Sequence, residues 1–357
     1  MLAAVLEGVK MKNRKKFKKA KDIQTGIIGY GGGCNISRCH LSGMQKAGMR
    51  PVAVAEVNPV RLKAAQKDFP GIETYSSAAA MLKSSSVDLV AVVTPHNTHA
   101  DLAMQCIKAG RNVVCEKPFA ITTAECDALI EAARKKRVLI SVYHNRHWDG
   151  SILQAVKMIK KGIIGEIVRI EAHMGAWAPP INTWRSRRSI SGGIFYDWGI
   201  HVLEYGLQLI DSDIVEVSGF AKKGFWASQS VWKNDTNEDE GFVVVRFKNS
   251  AWLTLCVSSI DSNPKPNLLQ ITGTKGTYLM GHTTWEVINC TKTGITTSQK
   301  GKNPDGQWEH FYQNIADHLT KGTKLIISPE WARRLVHILD LAVQSACKGR
   351  ALKAKYK

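Results

Sequence analysis

The side chains best placed to do chemistry fall in a few short clusters. Thr94-Pro95-His96-Asn97-Thr98-His99, Glu116-Lys117-Pro118 and His144-Asn145-Arg146-His147 each follow a strongly apolar run. Any one alone reads as a loop with capping side chains. Three in succession, at the ends of consecutive runs, point to one crevice. Lys117 stands between a glutamate and a proline, which gives it a fixed backbone. Asp197 and His201, in Gly192-Gly193-Ile194-Phe195-Tyr196-Asp197-Trp198-Gly199-Ile200-His201, are four apart and share one face if that segment is helical. Such a pair suits acid/base work or one side of a metal site. No third ligand stands at a telling spacing, so no metal is expected. A helix cap beside a core histidine is the plainer alternative. Trp184-Arg185-Ser186-Arg187-Arg188 is basic and aromatic. Its Trp184, Arg185 and Arg187 read either as a substrate clamp or as a surface loop.

Nearer the start lies a segment suited to holding phosphate. Ile27-Ile28-Gly29-Tyr30-Gly31-Gly32-Gly33-Cys34-Asn35 connects an apolar run to a helical pattern. In that setting the first glycine permits a tight turn and the next lets backbone approach a pyrophosphate. The helix N-terminus supplies free N–H groups and partial positive charge. Gly29, Gly31, Gly32, Gly33, Cys34 and Asn35 are therefore candidate contacts to a dinucleotide. Cys34 occupies the place of the third glycine in G-x-G-x-x-G. Glu56 closes the next apolar run, where a carboxylate accepts hydrogen bonds from ribose hydroxyls and repels a 2′-phosphate. Val57, rather than an arginine, follows it. The reading is NAD in preference to NADP, with Arg61 near enough in sequence to keep NADP open.

These residues need a frame. Ile23–Gly29, Pro51–Glu56, Val87–Thr94, Asn112–Cys115 and Val138–Tyr143 are near-continuous apolar runs, expected of parallel strands covered on both faces. Between them the patterns at Ile36–Ala47, Pro59–Asp68, Ser77–Lys83, His99–Ala109 and Thr122–Lys136 are helical, the last opening with a Thr122/Glu125 capping box. Alternation predicts a doubly wound Rossmann domain over 22–145. Over 146–357 the rhythm changes. Ser151–Lys161 reads as a helix, Glu166–Met174 as a strand, Gly192–Ile210 as containing a helix, and Ile214–Asn289 as strands and turns. At Thr274-Lys275-Gly276-Thr277 a hairpin is expected to use positive φ at Gly276. Trp308–Leu319 and Pro329–Ala346 return to helix. This half is expected to be an α+β domain with a mostly antiparallel sheet, its last helix packing back on the first domain.

Composition bounds the rest. At 357 residues and 44% hydrophobic, the chain can bury two cores. No apolar run approaches the roughly 20 residues of a membrane span. Eight scattered cysteines form no C-x-x-C pair and fit a reducing, cytoplasmic setting. The net charge of +19 is concentrated at the ends, above all over residues 10–21. An arm over 1–21 of that kind can hold nucleic acid or an anionic membrane, or simply be a solvated terminus. The absence of interleaved aromatics favours the latter, so neither nucleic acid nor membrane is expected as a partner.

Taken together the motifs resemble the Gfo/Idh/MocA oxidoreductases, which include glucose–fructose oxidoreductase and inositol 2-dehydrogenase. The matching pieces are the glycine turn, Ala55-Glu56, Thr94-Pro95 with His99, Glu116-Lys117-Pro118, Asn145-Arg146, Asp197-x-Gly199-x-His201 and Ile271-Thr272-Gly273-Thr274-Lys275-Gly276, in order over about residues 22–352. Three positions depart: extra residues before His40, His96 in place of an asparagine, and Glu204 in place of an aspartate. The resemblance implies a C-terminal domain with a large open sheet and dimers or tetramers packed through those sheets. It implies Lys117, Asp197 and His201 as the catalytic group. Thr94, Pro95, His96, His99, Glu116 and Lys117 fall on the cofactor side, and Asn145, Arg146, Trp184, Arg185 and Arg187 on the substrate side with Asp197 and His201.

The expected activity is hydride transfer between a nicotinamide and a secondary alcohol of a sugar, inositol or related polyol. His201 is the first choice of base, its ordinary pKa lying near working pH, with Lys117 stabilising charge on the same oxygen. Those two roles are interchangeable on this evidence. The rival readings are an NAD-dependent glycoside hydrolase of the same family and a non-catalytic NAD-sensing or nucleic-acid-binding protein.

Overall fold

The computed structural model describes residues 17–31 and 36–354. Six short strands, β1 (Gln24–Ile28), β2 (Arg50–Ala55), β3 (Glu73–Tyr75), β4 (Leu89–Val92), β5 (Asn112–Cys115) and β6 (Ile140–Val142), form one sheet in the order β3-β2-β1-β4-β5-β6. Every pairing is parallel. All four residues of β4 and of β5 are buried, as both-sided covering requires. The covering helices are α1 (Ile36–Lys46), α2 (Pro59–Asp68), α3 (Ala78–Ser84), α4 (His99–Lys108) and α5 (Thr123–Lys136). Local chemistry starts them. The Asn58 side chain accepts from the N–H groups of Val60 and Arg61, with Pro59 at the first helical position. Thr122 and Glu125 close a reciprocal capping box on α5. Strand order reverses between β1 and β4, which opens the crevice where such sheets take ligands.

The second half builds a nine-stranded sheet. Its strands are β7 (Ile167–Gly175), β8 (Ile214–Lys222), β9 (Glu240–Phe247), β10 (Trp252–Ser258), β11 (Leu269–Gly273), β12 (Gly276–Met280), β13 (Thr284–Cys290), β14 (Thr296–Lys302) and β15 (Leu352–Lys353), in the order β14-β13-β12-β11-β7-β10-β9-β8-β15. Only β7 with β10 is parallel. Alternation puts Val243, Val245, Leu253 and Leu255 on the covered face. The helices of this half are α6 (Gly150–Lys160), α7 (Arg188–Ser191), α8 (Ile200–Leu209), α9 (Glu309–Lys321) and α10 (Pro329–Lys348). α8 is buried from Ile200 to Leu207. α10 is fastened to both sheets. Asp340 accepts from the Thr123 hydroxyl at 2.7 Å, Arg333 pairs with Asp127, and the Ser345 hydroxyl accepts from the Gly219 N–H at 2.9 Å.

Three local readings change. Gly276 does not use positive φ; it opens β12, and a Cβ there would meet Ile288 O at 2.6 Å and Asn289 Nδ2 at 2.4 Å. Close approach of β13, not turn geometry, is what requires glycine. β3 is too short to leave an apolar signature. The edge strand β15 lies in what reads as a basic tail. Among the described residues no helix is long and apolar enough to cross a membrane, no group of His, Cys, Asp and Glu could hold a metal, and the seven cysteines are unpaired. Most of the basic arm, and Gly32, Gly33, Cys34 and Asn35, lie outside the described residues.

Candidate active site

The crevice begins where β1 ends. Gly29 adopts φ +95°, and a Cβ on it would lie 2.0 Å from Val93 O, so only glycine can follow β1 beside β4. Among the described residues a Cβ on Gly31 would meet nothing within 4 Å. Glu56, at the end of β2, is buried. Its Oε2 accepts from the Tyr30 N–H at 2.7 Å and its Oε1 from the Asn58 N–H at 2.9 Å, with Arg61 Nη1 at 4.0 Å. The carboxylate is thus held rigidly beside the turn.

Past β4, Thr94 and Pro95 sit half-buried on the lip, the Thr98 hydroxyl donating to the Thr94 hydroxyl at 2.7 Å. The two histidines there face inward and are engaged by backbone carbonyls. His99 places its ring nitrogens 2.7 Å from Pro118 O and 2.9 Å from Thr94 O. It pins the β4 loop to the turn after β5. His96 donates from Nδ1 to Ser191 O at 2.8 Å and meets the Trp184 ring edge-on at 4.7 Å. It ties the first half to α7. Burial, then the nearby Lys117 and His99, keeps His96 well below the ordinary histidine pKa.

Glu116 also faces inward, where its carboxylate holds protein groups. Oε2 accepts from the Lys117 N–H at 2.9 Å, and Oε1 lies 2.9 Å from His40 Nε2, whose Nδ1 is 2.5 Å from the Tyr312 hydroxyl. Burial opposes the charge on Glu116, yet His40 and Lys117 outweigh it and hold the carboxyl below its usual range. The Lys117 backbone is thus clamped, across a cis bond to Pro118. Its ammonium reaches the other half, donating to Asp197 Oδ1 and to Asp197 O, each at 2.8 Å.

Asp197 does not lie on a regular helix. Phe195–Gly199 forms a wide π turn that runs into α8 at Ile200. Such turns often mark functional sites, because they re-aim side chains. Here the turn points Asp197 to Lys117 and, at 3.5 Å, to Arg185 Nε. Burial opposes ionisation of Asp197, but Lys117 and then Arg185 outweigh it, so the carboxylate is held below its ordinary value. His201 follows on the first turn of α8, buried, its Nδ1 without a partner among the described residues. Burial, then the positive Lys117 and Arg146 nearby, pushes its pKa well down. An ordinary histidine pKa is therefore not what this ring has; it stays neutral.

The remaining candidates divide. Arg185 stacks over Trp184 at 4.5 Å and joins the Asp197 group. Arg187 does not; its Nε donates to Asp235 at 2.7 Å and its guanidinium lies over Trp232, away from the site. Asn145 is buried at the start of the 3-10 turn Asn145–Trp148, and Arg146 from the same turn donates to Asp149 at 3.0 Å. Glu204 is buried against His147, Gln208 and Trp331, so it anchors α8 and touches no open space. Reading the sequence undervalued His144. This ring is buried, both its nitrogens lack partners among the described residues, and burial pushes it down to about 4. It stands in the His144–His147 cluster, and only its orphaned nitrogens single it out. The signals for His40 and Trp198 were their contacts with Glu116 and His201, which no local spacing shows.

Two family models match the chain in sequence. The oxidoreductase family with an NAD-binding Rossmann fold covers residues 23–144, and the GFO/IDH/MocA C-terminal domain covers residues 152–279. The chain belongs to the GFO/IDH/MocA family of oxidoreductases. It is 32% identical over 193 residues to the scyllo-inositol 2-dehydrogenase (NADP(+)) IolW of Bacillus subtilis, a match covering 54% of this chain and 53% of that protein. It is 29% identical over 232 residues to the myo-inositol 2-dehydrogenase of Thermotoga maritima, covering 64% of this chain and 66% of that one. The chain spans about half the length of several curated relatives it matches. Levoglucosan dehydrogenase, solved in complex with NADH and levoglucosan, shares the fold with a TM-score of 0.80 at 20% identity, over 93% of this chain and 99% of that one.

Proposed function

We propose that the chain is a nicotinamide-dependent dehydrogenase acting on a secondary alcohol of a sugar, inositol or related polyol. The observation that carries this reading is the Lys117–Asp197 ion pair at 2.8 Å, set at the end of β5 beside a buried, neutral His201. The crevice suits a dinucleotide: among the described residues nothing crowds Gly31, and His144 and the Nδ1 of His201 make no hydrogen bond within the protein. Gly29, Gly31 and Glu56 would hold the pyrophosphate and ribose end, with Thr94, Pro95 and Lys117 along the way. Gly32, Gly33, Cys34 and Asn35 extend this proposed cradle. When bound there, the nicotinamide supplies the hydride acceptor or donor. The chain's own residues handle the proton. Lys117 Nζ donates to the reacting oxygen and stabilises its negative charge. His201 accepts the hydroxyl proton on its neutral ring and returns it in the reverse direction. Asp197 orients Lys117, Arg185 and Trp184 border the substrate, and Asn145 and Arg146 close its far side.

NAD is favoured because a carboxylate at the end of β2, Glu56, would repel a 2′-phosphate, and Val57 beside it is 83% exposed and offers no positive charge, although Arg61 lies 4.0 Å from that carboxylate. Residues 22–145 serve as the cofactor unit and 146–357 as the substrate unit. The outer face of the nine-stranded sheet, which exposes Phe220 and Trp252, joins copies of the chain into dimers or tetramers. Unpaired cysteines suit a reducing cytoplasm. The test is a panel of sugars, inositols and sugar acids with NAD and NADP, read at the reduced-cofactor absorbance. Reduced cofactor from at least one polyol is expected; none from any of them would overturn the reading.

A further inference from the structure

A row of flat groups leads away from the reacting centre. The His201 ring meets the Trp198 indole edge-on, with 5.7 Å between centroids. The Arg146 guanidinium lies over that same indole at 4.5 Å and over the Trp308 indole at 5.6 Å. Trp198 and Trp308 remain 42% and 39% exposed. Beyond them opens a cleft of about 790 Å³, walled by Thr284 and Lys302 from β13 and β14 and by the loop around Asp305. Its floor is tightly organised. One carboxylate, Asp149, accepts from Trp308 Nε1 at 2.5 Å, from Arg146 Nη1 at 3.0 Å and from the Tyr205 hydroxyl at 2.5 Å. The Trp308 indole and the guanidinium are therefore held in place, and both indoles stay partly exposed.

This chemistry has a natural ligand. Indole and guanidinium faces cover the C–H face of a pyranose, and hydroxyl, amide and charged groups around the rim exchange hydrogen bonds with its hydroxyls. The rim carries both signs, Arg146 and Lys302 against Asp305 and Glu309, so it does not single out a phosphate or nucleotide. Pockets for whole drug-sized ligands run to about 300–1,000 Å³. A cleft of this size, next to the reacting centre rather than at it, leaves room for a further ring. We propose that the cleft is a subsite for a second sugar ring, so that the substrate is a neutral two-ring glycoside. One ring is oxidised between Lys117 and His201, and the other rests on Arg146 and Trp308. This rests on the dehydrogenase reading for its first ring only.

The test uses the full chain with NAD or NADP. Glucose is compared with maltose, cellobiose and trehalose, and myo-inositol with its α-galactoside. Turnover is read by absorbance and binding by calorimetry. At least one two-ring compound is expected to exceed its single-ring parent tenfold or more in kcat/KM and in affinity. Thr284→Trp, which fills the cleft from an exposed strand end, should remove that gain and leave the single-ring parent within twofold. Trp308→Phe, which keeps a ring but loses the bond to Asp149, should retain part of it. Single-ring turnover with no two-ring advantage, or a two-ring advantage untouched by Thr284→Trp, would overturn the subsite and leave the dehydrogenase standing. Tenfold tighter two-ring binding with no reduced cofactor from any sugar would support the subsite and overturn the dehydrogenase. Release of free glucose without net reduced cofactor would do the same, in favour of a hydrolase.

Discussion

The two halves hold their functional groups by different means. In the parallel sheet, Lys117 and Glu56 stand at strand ends whose backbones are locked by neighbours, and the carboxylates there are consumed in holding backbone N–H groups. In the second half, Asp197 hangs on an irregular π turn and His201 on the first turn of the largely buried α8 that follows it. Their direction is decided by what they pack against. The first arrangement makes position a local property of strand and turn. The second makes it a property of the assembled molecule. The proposed proton-handling group straddles the two, joined by the Lys117–Asp197 ion pair.

The largest effect should come from cutting that joint. Lys117→Ala is expected to lower kcat by about 100- to 10,000-fold with the Kd for NADH within threefold. Asp197→Asn should cost less, and the double variant should be no worse than Lys117→Ala alone, since the two side chains act as a unit. Additive losses in steady-state kinetics would separate the halves functionally. Next comes the first half's backbone. Gly29→Ala forces a Cβ against Val93 O in a left-handed conformation and should destabilise the fold by about 3 kcal/mol, read by urea denaturation.

Protons give two smaller tests. A neutral His201 with depressed pKa must be the base form, and protonation abolishes it. The acid limb of kcat/KM for alcohol oxidation should therefore fall clearly below 6.5, the ordinary histidine value. A limb at or above 6.5 would remove His201 from the role. His144, pushed from 6.5 to about 4, stays neutral in the folded state where the unfolded chain would take a proton. Stability it contributes is complete above 6.5 and is lost as pH falls towards 4, so His144→Phe should flatten the decline of the thermal midpoint across that window. The smallest effect concerns the cofactor: Glu56→Ala should shift the NAD to NADP ratio of kcat/KM towards NADP by about tenfold, or 1.4 kcal/mol.

The same contrast explains what the amino-acid order reveals. Apolar runs and caps are local, so α2, from Pro59 to Asp68, and β5, from Asn112 to Cys115, lie where pattern alone puts them. The polar clusters past β4, β5 and β6 do converge on one crevice. What pattern does not tell is which way a side chain turns once it is there. His96, His99 and Glu116 occupy the expected places and face inward, because buried carbonyls and an imidazole claim them. Arg187 is two residues from Arg185 yet is captured by Asp235, far along the chain. Trp308 comes to Arg146 across more than a hundred and fifty residues of sequence, and no spacing announces it. The π turn was expected as ordinary helix, since one extra residue per turn leaves no mark on periodicity.

The helix α10 has a mechanical meaning. Twenty residues long, it is bolted to α5 by Asp340 and Arg333 and to β8 by Ser345. It works as a strut across the joint between the two sheets, and a strut resists wide hinging there. A substrate of the proposed kind would meet a frame already near its working span, with the distance from Lys117 to Asp197 set more by the building than by a door closing.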